Sequence, residues 1–322
     1  MHQRWFGLFA ASVLFISTSQ VNAVVLYRTP TRNTSAPSGT LYNSGWQWEG
    51  KWGSFLGTPI APNYFITAGH VGGGLGQTFT YNWKNYSTVG MWDDPNSDLR
   101  IYKVNGTFPN YAPLYTQPWE IGKQLVVIGR GSQRGSEARV NNELKGWEWG
   151  YSDAIQSWGE NVVSSAVNGG AGSGSLLQFT FSRVNGMYNE AVLTGGDSGG
   201  GVFIKDGTTW KLAGINKSVE SWFSMNGATG SGFNASAFDA GGLYYGGDGH
   251  WNLIPNNSFD IQASSYATRI SSNMTWIRSV LGSSISTTTL SASPPSAAFA
   301  PEPGSMAMLI IAAMGLLRRR RF

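Results

Sequence analysis

The chain has 322 residues, with 43 glycines, 13% aromatic residues, no cysteine and a formal net charge of +4. Five of its 22 Lys and Arg (Arg4 and the four arginines from Arg318 to Arg321) and one of its 18 acids (Glu302) lie in terminal segments of targeting character, which leaves 17 of each sign in the body. No Lys/Arg cluster remains in that neutral body to make a basic face, so the chain's overall positive charge does not point to nucleic acid or an anionic membrane. The lack of cysteine excludes a disulfide framework, so about 275 residues must be held by their own core.

Residues 1–23 carry Arg4, an apolar run from Trp5 to Ile16 and the small-residue site Val21-Asn22-Ala23. This reads as a secretory signal peptide and not as a membrane span. Beyond it the apolar runs are short, and Gly, Ser, Asn and Thr interrupt nearly all of them, which predicts an all-β fold. Tyr64-Phe65-Ile66-Thr67-Ala68-Gly69 leads to His70 at a strand end, and Asp98 is followed by the apolar-rich run Leu99 to Val104. Asp93 and Asp94 lack such a strand and read as loop residues. Of the other two histidines, His2 lies in the leader and His250 in a glycine-rich loop.

The stretch Thr194-Gly195-Gly196-Asp197-Ser198-Gly199-Gly200-Gly201 lies between the short apolar runs Ala191-Val192-Leu193 and Val202-Phe203-Ile204. A serine among so many glycines sits on a tight turn where backbone can approach a ligand. A plain glycine-rich β-turn is the alternative. As a nucleophile, Ser198 needs a base for its hydroxyl proton and amide N–H groups for the developing oxyanion, and Gly196 and Ser198 can supply those N–H groups.

These segments resemble the trypsin-like (chymotrypsin-fold) serine proteases. Pro59 to His70 is similar to the strand and turn of the family's catalytic histidine, Asn96 to Val104 to the segment of its aspartate, and Gly195 to Gly200 to that of its serine, in the same order. The resemblance implies two six-stranded antiparallel β-barrels, one over residues 24–117 and one over 118–282, with the triad His70, Asp98 and Ser198 between them. Gly122 to Gly131 resembles the opening strand of the second barrel, to which Leu176 to Phe181 and Trp210 to Ile215 also belong. Ala267 to Leu281 resembles the last strand and a short C-terminal helix, in which Met274, Ile277, Val280 and Leu281 share one face. Residues 220–263 form a long insertion in the second barrel. An ordered lobe is expected there, because Trp222, Phe233, Phe238, Tyr244, Tyr245 and Trp251 require burial.

The implied activity is that of an exported serine endopeptidase acting on protein or peptide substrates, without cofactor or metal. Ser198 attacks, His70 relays the proton, and Asp98 fixes the imidazole. A catalytically silent fold used as an adhesive or binding surface protein is the alternative. At the positions matching the primary substrate pocket stand Val192 and Ser265, both uncharged, so apolar or small side chains are expected, unless Asp239, Asp248 or Asp260 reaches in. The chain departs from the family in having Gly201 for the usual proline. Cleavage after Ala23 exposes Val24-Val25-Leu26-Tyr27, which lacks the family's glycines. The partner of the carboxylate at Asp197, Val24 or a basic side chain, stays open on the residues alone.

Residues 283–300 are a Ser/Thr/Ala/Pro spacer that reads as a flexible linker. Pro301-Glu302-Pro303, the apolar stretch Met306 to Leu317 and four arginines follow. As a helix that stretch reaches only about 18 Å, short of a hydrocarbon core of roughly 30 Å. The segment 301–322 resembles the PEP-CTERM sorting signal of bacterial exported proteins. That implies signal peptidase and exosortase as processing partners, transient membrane contact through the tail, and a secreted or cell-surface location on a bacterium.

Overall fold

The computed structural model describes residues 24–184 and 187–282. The expected leader 1–23, linker 283–300 and sorting tail 301–322 lie outside the described residues. Short β1 (Val25–Leu26) is followed by β2 (Gly50–Trp52), β3 (Phe55–Ala61), β4 (Tyr64–Ala68), β5 (Thr78–Tyr81), β6 (Lys84–Asp93) and β7 (Leu99–Val104). Strands β2 to β7 close into an antiparallel barrel of order β2-β3-β4-β7-β6-β5.

The period-two alternation of β4 explains how that barrel is held from both sides. Phe65 points inward, stacked on Phe79 at 3.9 Å and on Tyr102 at 5.1 Å, in an aromatic core with Trp52, Tyr81 and Phe108. Tyr64, Ile66 and Ala68 point the other way, into an apolar cluster shared with Phe203, Leu212 and Ile215 of the second half. With both faces buried, β4 shows no polar alternation.

The second half comprises β8 (Gln124–Gly129), β9 (Ser132–Val140), β10 (Glu143–Ser152), β11 (Ser157–Val162), β12 (Ser165–Asn168), β13 (Ser175–Thr180), β14 (Ala191–Val192), β15 (Gly201–Asp206), β16 (Thr209–Val219), β17 (Trp222–Ser224), β18 (Gly232–Ala237), β19 (Tyr244–Tyr245), β20 (Asn252–Leu253) and β21 (Ser264–Arg269). Seven of these form one sheet of order β11-β8-β15-β16-β21-β13-β12. The expected second closed barrel is therefore not seen: β11 and β13, which would have to pair to close the ring, share no ladder. The segment before β14 lies along β11 instead, bridging Glu160 to Glu190. The Asn161 side chain spans the gap, donating to the carbonyl oxygens of Thr180 and Ala191.

The insertion is ordered, and it captures the long β9–β10 hairpin. The two make a six-stranded sheet of order β20-β19-β17-β18-β10-β9. Phe238 of the insertion is buried, as expected, whereas Trp222 and Tyr245 remain about two-fifths exposed. Helix α1 (Met274–Leu281) buries Met274, Ile277 and Leu281 in the same cluster as Ile60, Tyr64 and Ile101 of the barrel. Complete burial of Ile277 alone contributes about 1.5–3 kcal/mol, so the C-terminal turns help fasten one half to the other.

Candidate active site

The Thr194–Gly201 turn is built from its glycines and from a buried acid. Gly196 and Gly199 have φ of +100° and +80°, a region that side chains strongly disfavour. Between them Asp197 points inward and is 1% exposed. Its carboxylate accepts the amides of Gly131 and Thr194, each at 2.7 Å, and the Thr194 hydroxyl at 3.0 Å. The Val24 N–H also donates to it. Burial outweighs these four donors and pushes the Asp197 carboxyl up to about 6. With Asp197 turned in, the neighbouring Ser198 is turned out.

The turn is then tied to both halves. Asn216 of β16 donates from Nδ2 to the Asp197 carbonyl at 3.0 Å and accepts the Gly199 amide at 3.0 Å. Gly201 donates its N–H to Glu49 Oε1 at 3.1 Å; the proline common here in the resembling family has no N–H to give. Among the described residues no intramolecular acceptor engages the amides of Gly196 and Ser198. They flank the serine as free donors, as an oxyanion site needs.

His70 sits on a single 3₁₀ turn, Gly69–Val71, at the end of β4. Asp98 precedes β7, the neighbour of β4 in the barrel, and the pairing of Ala68 with Leu99 brings the two together. Asp98 Oδ1 accepts the His70 backbone N–H at 2.9 Å, and Oδ2 faces Nδ1 at 2.6 Å. The other ring nitrogen, Nε2, lies 2.8 Å from Ser198 Oγ. Burial favours the protonated Asp98 carboxyl, but the ring hydrogen bond, the charges of His70 and Lys217 and the His70 amide together hold it below the usual aspartate range. An ionised Asp98 fixes the proton of a neutral imidazole on Nδ1, which leaves Nε2 to accept from the serine hydroxyl. The structure thus brings His70, Asp98 and Ser198 into one unbroken hydrogen-bonded line.

The competing acids are elsewhere. Asp93 is paired with Arg100, and Asp94 accepts the Asn96 amide and the Ser97 hydroxyl. His250 lies in an exposed loop of the insertion, where its backbone amide donates to Gly247.

Val192 and Ser265 do not line an open pocket. Both are fully buried: Val192 packs with Val25, Trp147, Phe181 and Phe238, and the Ser265 hydroxyl accepts the Leu193 amide. The cavity beside Ser198 is lined instead by Leu193, Thr194, Asn216 and Lys217 to Val219, and at ≈ 10 Å³ it holds about one water. Asp239 and Asp260 are engaged by Lys145 and Arg183, and Asp248 accepts the Gly230 amide, so none of these acids lines it.

Several residues at the site escape a reading of the sequence. Trp149 of β10 lies against Gly195, three residues before the serine, and is held there by an Nε1 hydrogen bond to Ser236 of the insertion. Arg130 reaches the carbonyls of Gly53 and Phe55 in the barrel. Lys217 faces Asp98. No protein-family model and no curated protein matches the chain.

Proposed function

We propose that the chain is an exported serine endopeptidase of the trypsin-like family, hydrolysing peptide bonds through a Ser198–His70–Asp98 triad and an acyl-enzyme. The observation that carries this reading is the Asp98–His70–Ser198 line, with contacts of 2.6 and 2.8 Å, beside two unengaged amides. A glycine-rich turn with no chemical task needs neither. In the proposed reaction His70 Nε2 takes the Ser198 proton as Oγ attacks the scissile carbonyl, and the oxyanion rests on the amides of Gly196 and Ser198. His70 then returns the proton to the leaving amine, and water repeats the sequence to free the acid.

Two further points belong to the same proposal. The seven-stranded half corresponds to the family's second barrel, opened by the segment at Glu190. Cleavage before Val24 during export gives an α-amino group at the position where the Val24 N–H already meets Asp197. That ammonium supplies the counter-charge a buried carboxylate requires.

The test is labelling of purified protein with a fluorophosphonate, followed by mapping of the modified residue. Modification at Ser198, lost on heating and absent in Ser198→Ala, is expected. Folded protein that is not labelled, or is labelled elsewhere, would favour the binding-protein reading.

A further inference from the structure

Strand β16 passes beneath the serine turn and then alongside the triad aspartate. Its ladder with β21 pairs Asn216 with Ala267 and Ser218 with Tyr266, so Lys217 is the extra residue of a β-bulge. Bulges re-aim a side chain, and they recur beside active sites. Here Asn216, fully buried, bonds the carbonyl of Asp197 in the serine loop, and Lys217 beside it reaches the triad aspartate. Its ammonium lies 3.5 Å from Asp98 Oδ2, the same oxygen that faces His70 Nδ1. The Lys217 side chain is only 19% exposed, and Asp98 is its one carboxylate partner within ion-pair distance among the described residues.

The other charged groups nearby are committed elsewhere. On β7 and its approach, Arg100 is bound to Asp93, and Asp94 to Asn96 and Ser97. On the serine turn Asp197 points into the core. Beyond Lys217, Glu220 accepts from the Ser264 amide and the Tyr266 hydroxyl. Among the described residues Asp98 therefore faces two cationic groups: the imidazolium that forms during the reaction and the Lys217 ammonium.

We propose that Lys217 is a positioning residue that shares the Asp98 carboxylate with His70 and so keeps His70 unprotonated, and able to accept the serine proton, into mildly acidic solution. The inference rests on the triad reading above. The physical reason is competition: a fixed positive charge on Oδ2 stabilises ionised Asp98 and opposes a second positive charge on the ring. It also holds the carboxylate in plane when the ring is neutral, a task that a hydrogen-bonding neutral side chain performs without the charge.

The experiment measures the rate of fluorophosphonate labelling of Ser198 against pH for the wild type, Lys217→Met, Lys217→Gln and Lys217→Arg. Labelling requires only the nucleophile and its base, so it needs no knowledge of the natural substrate. The acid limb is expected to move to higher pH by about one unit in the Met and Gln variants and to stay with the wild type in the Arg variant. Should the Met variant fail to fold, the Gln variant, neutral and one bond shorter but polar at its tip, carries the test. A histidine titration followed by NMR in a Ser198→Ala background gives the same midpoint without turnover. A limb that does not move in folded Gln or Met protein overturns the role of Lys217 while leaving the triad intact. A wild type that is not labelled at all overturns the triad reading itself.

Discussion

Ser198 and His70 each depend on the other: the hydroxyl is a weak nucleophile without a base, and a base 2.8 Å away has no task without the hydroxyl. Their losses should therefore not add. Ser198→Ala and His70→Ala are each expected to lower peptide hydrolysis by several orders of magnitude, with the double variant little worse than either; His250→Ala should turn over normally. A steady-state comparison on one peptide decides this, and a double variant far below both singles would contradict it. Glu49 is a second residue whose chemistry can be read directly. It is buried, with Oε1 accepting from the Thr58 hydroxyl and the Gly201 amide, and burial pushes its carboxyl up to about 8. The folded chain thus keeps a proton that the unfolded chain releases in the ordinary carboxylate range. The stability tied to Glu49 is complete below that range and is lost as pH rises toward 8. Glu49→Gln keeps an acceptor for both donors but cannot ionise. It should be more stable than the wild type at pH 8, by roughly 2–4 kcal/mol, with the gap closing toward pH 4. Denaturant melts at both pH values measure it; parallel curves would show that Glu49 does not titrate in this window.

At the scale of elements, the serine turn works as a wedge between the barrel and the seven-stranded sheet. Gly199 is where it presses on the barrel. A Cβ built there would strike the Thr67 hydroxyl and come within 2.6 Å of the Leu56 carbonyl, both on the barrel, at a φ of +80°. Thr67 cannot yield, because its hydroxyl is bonded to that same carbonyl at 2.8 Å. Gly199→Ala should accordingly cost about 2–4 kcal/mol of stability and slow Ser198 labelling further than the lost stability explains, since the turn must shift away from His70. Thermal melts and labelling of the folded fraction separate the two effects. An alanine variant as stable and as reactive as the wild type would mean that the turn has slack absent from this structure.

For the whole molecule, the contact that decides most is the one between Val24 and Asp197. Val24 is β-branched and 1% exposed, yet it has φ of +50°, a conformation that costs about 1–3 kcal/mol. That angle exists only while a peptide bond precedes the residue. Severing the chain before Val24 removes the constraint and replaces an N–H dipole with an ammonium facing Asp197. In the uncut chain, Asp197 is raised to about 6, so its contribution fades as pH rises through that value. In the cut chain the ammonium lowers the carboxyl and restores the contribution above it. Protein beginning at Val24 should therefore be the more stable form between pH 6 and 8, by about 1–3 kcal/mol, and should be labelled faster at Ser198. Asp197→Asn should erase the pH-dependent part of both differences and leave only the gain from relieving Val24. Equal melts and equal labelling for the two forms would sever activation from export.

How much of this was legible beforehand follows from how locally each feature is encoded. The all-β character, the strand ending at His70, the turn at Ser198 and the apolar face of α1 are set by neighbours within a few residues: alternation, helical spacing and the dihedral freedom of glycine. Those parts of the sequence determine their own conformation wherever they are placed. The tertiary structure decided what depends on register. Asp98 and not Asp93 or Asp94 meets His70 because β4 and β7 pair Ala68 with Leu99. Lys217 meets Asp98 because a bulge, which leaves no periodic mark in the sequence, adds one residue to β16. Val192 and Ser265 are consumed by packing, and the second ring stays open with the Glu190 segment lying along β11. Strand pairing joins residues far apart in the chain, and a shift of one position reverses every side chain, so a local pattern such as the apolar run after Asp98 can favour a residue but cannot make the contact.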